Sequence, residues 1–443
     1  MAIHAFIKVV DPGLGLPGSV LVRSQEIKRR MRTRFTWIVG VVGLIAIGLL
    51  VACSTKYSSS NNGLVVLSTQ GDVVMETFSL DLANGHLSPI NNVNGPPTNG
   101  YGTSVVLDPA GAYAYVLVLQ NSTVPDSATG LQVFPVASDG KLGSGTMTGL
   151  NPVGGIPVVP VAMVMDSAGK LLFVADAGTG SVPGAVSVLA VSNGSLTEVA
   201  GSPFPLPMPP GGQPPSPSAL AVTPTVFPPA YAICSGNIAP TTENLYVTDN
   251  LNYVVDNASV SSGGVLSWSV VQAPTGSLPS GVTVDPCNRF VYVSNSQTNN
   301  VSAYKICTVI SYPTCPAADY SLLPVSGSPF AAGFAPGPLL MDAYAGFLYV
   351  LDTQQNAISA YRVSTTTGSL TPLSPATVAT NAGGAGGYAA STSIAIRSDD
   401  SWMFVTNFNA ATISQYALTP ATGALTPQPS IATFNYPWGV AVK

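Results

Sequence analysis

The chain has 443 residues, of which only 8% are charged and 46% hydrophobic, with 44 glycines and 39 prolines. Charged residues make up about 25% of an ordinary soluble domain, so this composition argues against a coiled coil, a charge-driven disordered chain and long uninterrupted helices. Fifteen Lys/Arg spread over the whole length against 20 Asp/Glu give a net charge of −5, which offers no footprint for a nucleic acid.

Residues 1–30 are expected to be an overextended start, because Met31 opens an ordinary short export signal, residues 31–52, in which a basic stretch precedes the apolar run FTWIVGVVGLIAIGLLVA at 35–52. The run ends in Leu50-Val51-Ala52-Cys53, which resembles a bacterial lipobox and makes Cys53 the expected lipidated first residue of the mature protein. The alternative is an uncleaved transmembrane anchor, since about 18 apolar residues just span a bilayer. Either way the remainder is exported, and localisation is expected on the periplasmic or cell-surface side of a bacterial membrane. Seven of the 15 Lys/Arg and two of the 20 Asp/Glu precede Cys53, leaving eight basic and 18 acidic side chains and a net charge of about −10 beyond it. Residues 53–62 form a polar tether.

From residue 63 onward the chain repeats. The clearest unit, PSGVTVDPCNRFVYVSNSQTNNVSAYKI at 279–306, recurs as GPLLMDAYAGFLYVLDTQQNAISAYRV at 337–363 and STSIAIRSDDSWMFVTNFNAATISQYAL at 391–418. Weaker copies lie around Val116, Val174 and Val247, and the equivalent valines Val116, Val174, Val247, Val293, Val350 and Val405 are 58, 73, 46, 57 and 55 residues apart. Short alternating strands separated by turn residues predict antiparallel β-structure. Strand a, such as GVTVD, leads through a turn of the type Asp108-Pro109-Ala110-Gly111 into strand b, the aromatic-Val segment. Strand b ends in Asp or Asn, strand c follows, and a turn such as Asn84-Gly85, Asp139-Gly140 or Asn193-Gly194 leads into strand d. A four-stranded sheet cannot bury both faces alone, so the sheets are expected to stack as blades of a ring. Residues 63–93 hold b, c and d without an a, and PWGVAVK at 437–443 is an a without a b. Together they supply a seventh blade that closes the ring through its two termini. After Val247, the segment NYVVDNASVSSGGVLSWSVV leaves open whether one outer strand or two follow.

LYVTDN, FVYVSN, FLYVLD and FVTN, each followed by a VSAY-like strand, resemble the YVTN-repeat and lactonase-type seven-bladed β-propellers, which include a 6-phosphogluconolactonase-like family; the resemblance covers nearly all of 63–443. It implies an all-β fold of seven four-stranded blades, with ligands at the channel mouth built by the b-to-c and d-to-a connections. Hydrolysis of a phosphorylated sugar lactone there would want a cation for the phosphate and a His or carboxylate to activate water. His86 falls in a c-to-d turn, Arg289 and Arg397 in or beside a-to-b turns and Arg362 near the end of a strand c, so all map away from the mouth. The b-strand ends Asp176, Asp249, Asn295, Asp352 and Asn407 map to the mouth side, where capping of the b-to-c turns is the leading expectation and a shared cation site the minor one. The starts of the a strands, including Tyr101, Thr103, Ser218, Ser280, Ser393, Tyr436 and Trp438, form a neutral rim with aromatic members. Such a rim suits a sugar ring or a peptide, or simply packs the channel top. No catalytic set, metal-ligand spacing or phosphate loop is found, so no cofactor or metal is expected. The expectation is a monomeric envelope lipoprotein that binds or scaffolds a protein or carbohydrate, with a lactone hydrolase as runner-up. The exported compartment permits disulfides. Cys234 and Cys287 fall in a-to-b connections of adjacent blades and Cys307 and Cys315 bracket CTVISYPTC, so pairings 234–287 and 307–315 are expected, with free buried thiols as the alternative.

Overall fold

The computed structural model describes residues 62–90, 95–123, 127–179, 182–225, 234, 243–308, 319–380 and 391–443. Cys53 and the anchor segment before it lie outside these residues, as does Cys315.

Seven antiparallel sheets follow one another along the chain, each with strand order a-b-c-d. Blade 2 comprises Tyr101–Leu107, Tyr113–Leu119, Gly130–Pro135 and Thr146–Thr148. In blades 3, 4 and 5 strands a to c are Val159–Met165, Leu171–Ala177 and Ala185–Ser192; Pro217–Val222, Glu243–Asp249 and Val254–Val260; and Pro279–Val284, Phe290–Asn295 and Asn300–Ile306. Their outer strand d comes in two pieces, Ser195–Glu198 with Phe204–Pro205, Leu266–Trp268 with Ala273–Pro274, and Leu322–Pro324 with Phe330–Ala331. Both pieces pair with strand c of their own blade. The segment after Val247 therefore carries one outer strand, broken in the middle. Blade 6 comprises Pro336–Met341, Phe347–Asp352, Ala357–Val363 and Leu370–Ala379, and blade 7 Ser391–Ile396, Trp402–Asn407, Thr412–Thr419 and Ala424–Ala432.

Blade 1 is composite. Asn62–Thr69, Met75–Asp81 and Leu87–Pro89 supply b, c and d, and the last strand, Pro437–Val442, supplies a. Its register sets Val65 against Val442, Leu67 against Val440 and Thr69 against Pro437. The innermost strands then touch their neighbours all the way round, 437–442 lying between those of blades 7 and 2.

No single core runs through the molecule. Buried apolar side chains form seven clusters, one in each wedge between successive blades. The repeat motif serves these wedges in two directions. The tyrosine of strand b reaches forward: Tyr292 donates its hydroxyl to Gly368 O at 2.9 Å, and Tyr349 to Gly423 O at 2.9 Å, both in the c-to-d turn of the next blade. The tyrosine of strand c reaches back: Tyr361 donates to Ala331 O at 2.7 Å and Tyr416 to Ala379 O at 2.9 Å, both on the outer strand of the previous blade. Burying a tyrosine is favourable only when its hydroxyl finds a partner, and here that partner is the neighbouring blade. At the closure the ring of Trp402 packs on Gly85, so blade 7 meets blade 1 as other blades meet.

Cys234 and Cys287 are joined by a disulfide, Cα atoms 5.3 Å apart, which ties the a-to-b connection of blade 4 to the a-to-b turn of blade 5. Cys307 is disulfide-bonded as well.

Candidate functional site

The mouth is the end of the channel where the b-to-c and d-to-a connections emerge. The ends of the b strands reach it: Asp249 pairs with Pro217, Asn295 with Pro279, Asp352 with Pro336 and Asn407 with Ser391, each at the start of strand a, and Asp176 pairs with Pro160, the second residue of its strand a. Their side chains do not line it. All five are buried and engaged within their own blade. Asp176 accepts from Ser187 Oγ at 2.7 Å and Asp352 from Ser359 Oγ at 2.6 Å. Asn295 Nδ2 donates to Ser302 Oγ at 3.0 Å and Asn407 Nδ2 to Ser414 Oγ at 2.8 Å. In each case the partner stands on strand c two register positions inside the b-strand end, so the pair fastens b to c below the turn. Asp249 instead accepts the backbone N–H groups of Ser216 at 3.0 Å and Leu251 at 3.1 Å, and the amide of Asn252 at 2.6 Å. The bonds to Leu251 and Asn252 cap the b-to-c turn, and the bond to Ser216 ties in the d-to-a connection.

In blade 4 the strand-c position held by serine in blades 3, 5, 6 and 7 is Asp256, and in blade 1 it is Glu76. Sequence reasoning passed over both, although aligning VVDNA with the equivalent NVSAY exposes Asp256. Asp256 accepts from Gln272 Nε2 at 2.6 Å, and Glu76 accepts the N–H of Phe434 at 3.1 Å. Burial, which disfavours the charged form, pushes Asp176, Asp256 and Glu76 up to about 7 and Asp352 up to about 6.

The hydroxyls at the a-strand starts are spent on the ring itself. Ser218 donates to Pro279 O and Ser280 to Pro336 O, each at 2.6 Å, while Thr392 donates to Trp438 O at 3.0 Å. Each of these bonds runs from one blade to the next. Thr103 turns back onto Leu117 O at 3.3 Å, and Ser393 gives its backbone N–H to Thr406 Oγ1 at 3.0 Å.

Beside polar loop residues such as Gln297 and Gln355, the mouth leaves aromatic and aliphatic side chains available. Tyr436 is 45% exposed, its ring stacked on Phe408 with centroids 4.8 Å apart, and Phe408 meets Trp438 edge-on at 5.2 Å. Tyr101 sits half-buried at the equivalent of Tyr436 in blade 2, and Val159, Val161, Leu278 and Phe334 are exposed on the same rim. Phe408 was not singled out in the sequence. It stands in a b-to-c loop where blades 5 and 6 have Ser296 and Thr353, and that apolar substitution in a polar loop is the signal for it.

Charge is segregated. Every Lys and Arg among the described residues lies at the opposite end of the channel, in or next to the a-to-b and c-to-d turns or at the end of strand a. Arg289 is paired to Asp285 at 2.6 Å, Arg397 to Asp399, and Arg362 lies over the Phe347 ring at 4.9 Å. His86 stands 3.1 Å from Ser88 Oγ in the c-to-d turn of blade 1, also away from the mouth. No group of three or more His, Cys, Asp or Glu side chains is placed to hold a metal among the described residues. The mouth therefore presents ring faces with one exposed carboxylate acceptor, Asp72, and, among the described residues, no cation.

These features define a seven-bladed β-propeller with the fold of the lactonase-type propellers. The chain is similar to a candidate 6-phosphogluconolactonase of Bacteroides fragilis, with 14% identity, coverage of 88% of this chain and 100% of that one, and a TM-score of 0.61. It is similar also to a candidate 6-phosphogluconolactonase of Bacteroides uniformis, at 15% identity, 87% and 100% coverage and a TM-score of 0.61. The periplasmic gluconolactonase of Pseudomonas aeruginosa superposes with 18% identity over 86% of this chain and 98% of its own, TM-score 0.60. At these identities the likeness establishes the fold. No family model and no curated protein sequence matches the chain.

Proposed function

We propose that this protein is an exported, lipid-anchored binding module of the cell envelope, whose propeller mouth takes an uncharged carbohydrate. The observation that carries the reading is the composition of the mouth, with an exposed aromatic cluster around Tyr436 and every described cation at the other end. A phosphorylated or acidic ligand would meet Asp72 there and no counter-charge among the described residues, whereas a neutral sugar stacks on rings and donates its hydroxyls to acceptors. The anchor rests on Leu50-Val51-Ala52-Cys53 at the end of the apolar run. Strand b of blade 1 starts at Asn62, on the end opposite the mouth. Mass spectrometry of the membrane form is expected to find acylated Cys53 as the first residue, and an intact 31–60 segment would replace the lipid with a transmembrane anchor.

The second reading is a lactone hydrolase, favoured by the gluconolactonases among its structural neighbours. A positioned acid–base group contributes about 10²- to 10⁴-fold, and no His or Arg stands at the described mouth to supply one. The expected result is no opening of 6-phosphogluconolactone above the spontaneous rate, with saturable binding of a neutral oligosaccharide. An enzymatic rate of opening by the unmodified protein would make the hydrolase reading correct.

A further inference from the structure

We propose that the seam between blades 7 and 1 carries a stacking subsite for one pyranose ring, formed by Tyr436, Phe408 and Trp438 with Asp72 as hydroxyl acceptor; this deepens the carbohydrate reading and rests on it. The residue before strand a is held in the left-handed region in three blades, at Leu278, Ala335 and Tyr436, the last with φ 56°. A bulky L-residue is disfavoured there, and such strain persists only where the surroundings over-determine it. Around Tyr436 they do. Gln70 donates its backbone N–H to Tyr436 O at 2.9 Å, Gly71 to Asn435 O at 3.1 Å, and the carboxylates of Asp72 and Glu76 accept the N–H groups of Asn435 at 2.6 Å and Phe434 at 3.1 Å. A Cβ on Gly71 would sit 2.7 Å from Tyr436 Cδ2, so only glycine leaves room for the ring. The fold thus fixes an aromatic side chain at the rim from both sides and then leaves it 45% exposed.

A surface fixed in this way before its ligand arrives loses little freedom on binding. Asp72 is exposed, and its carboxylate, already holding Asn435, keeps lone pairs for further donors. A pyranose with all-equatorial substituents presents axial C–H groups on its two faces and hydroxyls around its edge, which matches a flat ring bordered by an acceptor. An anionic sugar places its charge beside Asp72 with no cation among the described residues to offset it.

The test is calorimetric titration of the full chain with cellohexaose, maltohexaose and hexagalacturonate. Cellohexaose is expected to bind and hexagalacturonate not to. Tyr436→Ala and Phe408→Ala should each weaken cellohexaose by about tenfold, as expected for loss of a stacked ring. Tyr436→Phe should retain affinity within about twofold. Tyr344→Ala, which removes an exposed tyrosine in the a-to-b turn of blade 6 at the other end, should leave binding unchanged. Cellohexaose binding untouched by Tyr436→Ala and Phe408→Ala would overturn the subsite and leave the carbohydrate reading standing, as would binding of maltohexaose alone. Binding of hexagalacturonate would overturn the charge argument, and failure of all three sugars overturns both proposals.

Discussion

Gly368 tests the forward reach of one blade into the next. It occupies the c-to-d turn of blade 6 at φ +77°, its carbonyl takes the hydroxyl of Tyr292, and a Cβ placed on it would meet Phe290 of blade 5 at 2.5 Å from Cδ1 and 2.7 Å from Cε1. Favourable carbon contacts lie at about 3.5–4 Å, so in Gly368→Ala the ring must move by roughly 1 Å into a filled wedge. Holding alanine in the left-handed region costs about 1–2 kcal/mol, and over-packing costs about 1–3 kcal/mol. The expected destabilisation is therefore about 2–5 kcal/mol. With unfolding entropy of ~2.1 cal/mol/K per residue over roughly 380 residues, 1 kcal/mol lowers Tm by about 1 °C. Calorimetry should show a drop of about 3–6 °C. Adding Phe290→Leu, which shortens the obstructing side chain, should restore the packing part in a double-mutant cycle and leave the backbone part. A Gly368→Ala melt within about 1 °C of the parent, or a cycle with no coupling, would refute the contact between turn and ring.

Deleting residues 437–443 removes strand a of blade 1 and strips Val65, Leu67 and Thr69 of their strand-a partners, so cooperative unfolding should be lost, and an unchanged melt would contradict the composite blade. Glu76, Asp176 and Asp256 are pushed up to about 7 by burial, so the folded state keeps protons that the unfolded chain releases above about pH 4. Their contribution to stability is full below about pH 4 and is lost as pH rises through about 7. Tm should accordingly be higher at about pH 5 than at about pH 8, and Asp256→Asn should flatten the slope; stability rising over that interval would show that these groups are charged when folded. Cys287→Ser opens a bridge that spans 53 residues; chain-entropy arguments put its worth at about 4 kcal/mol, and denaturant titration that finds no loss would mean the unfolded chain is not held by it.

The ring, its seven blades and the pairing of the two ends were readable because the repeat marks strand b and its turn in every unit, and because residues 63–93 and 437–443 lack complementary strands. The direction of each tyrosine was not. Alternation along FVYVSN and VSAY says which residues are buried, and Tyr292 and Tyr304 look alike in it, yet one serves the blade ahead and the other the blade behind. The Asp and Asn residues that end strand b were placed at the mouth end with turn capping as the first expectation, and all five are buried and bonded within their own blades rather than lining the channel. Capping a turn and lining a channel call for the same side chains at the same register, and only burial separates the two uses. Trp438 and Tyr436 were found because they begin a strand. Their companion Phe408 was not, because only aligning its b-to-c loop with those of blades 5 and 6 sets it apart from Ser296 and Thr353.

The closing strand also sets an order of events. Strand b of blade 1, Asn62–Thr69, is the first piece of the propeller to be made, and its partner Pro437–Val442 is the last. Translation at about 5–20 residues per second separates the two by tens of seconds, while hairpins within a blade form in about 1–10 μs. A nascent chain is thus an open arc with one waiting edge until its final residues are released. Another copy's last strand fits that edge as well as its own. An exchange of that strand between two copies would complete each ring from the other molecule, the same contact that closes it within one chain.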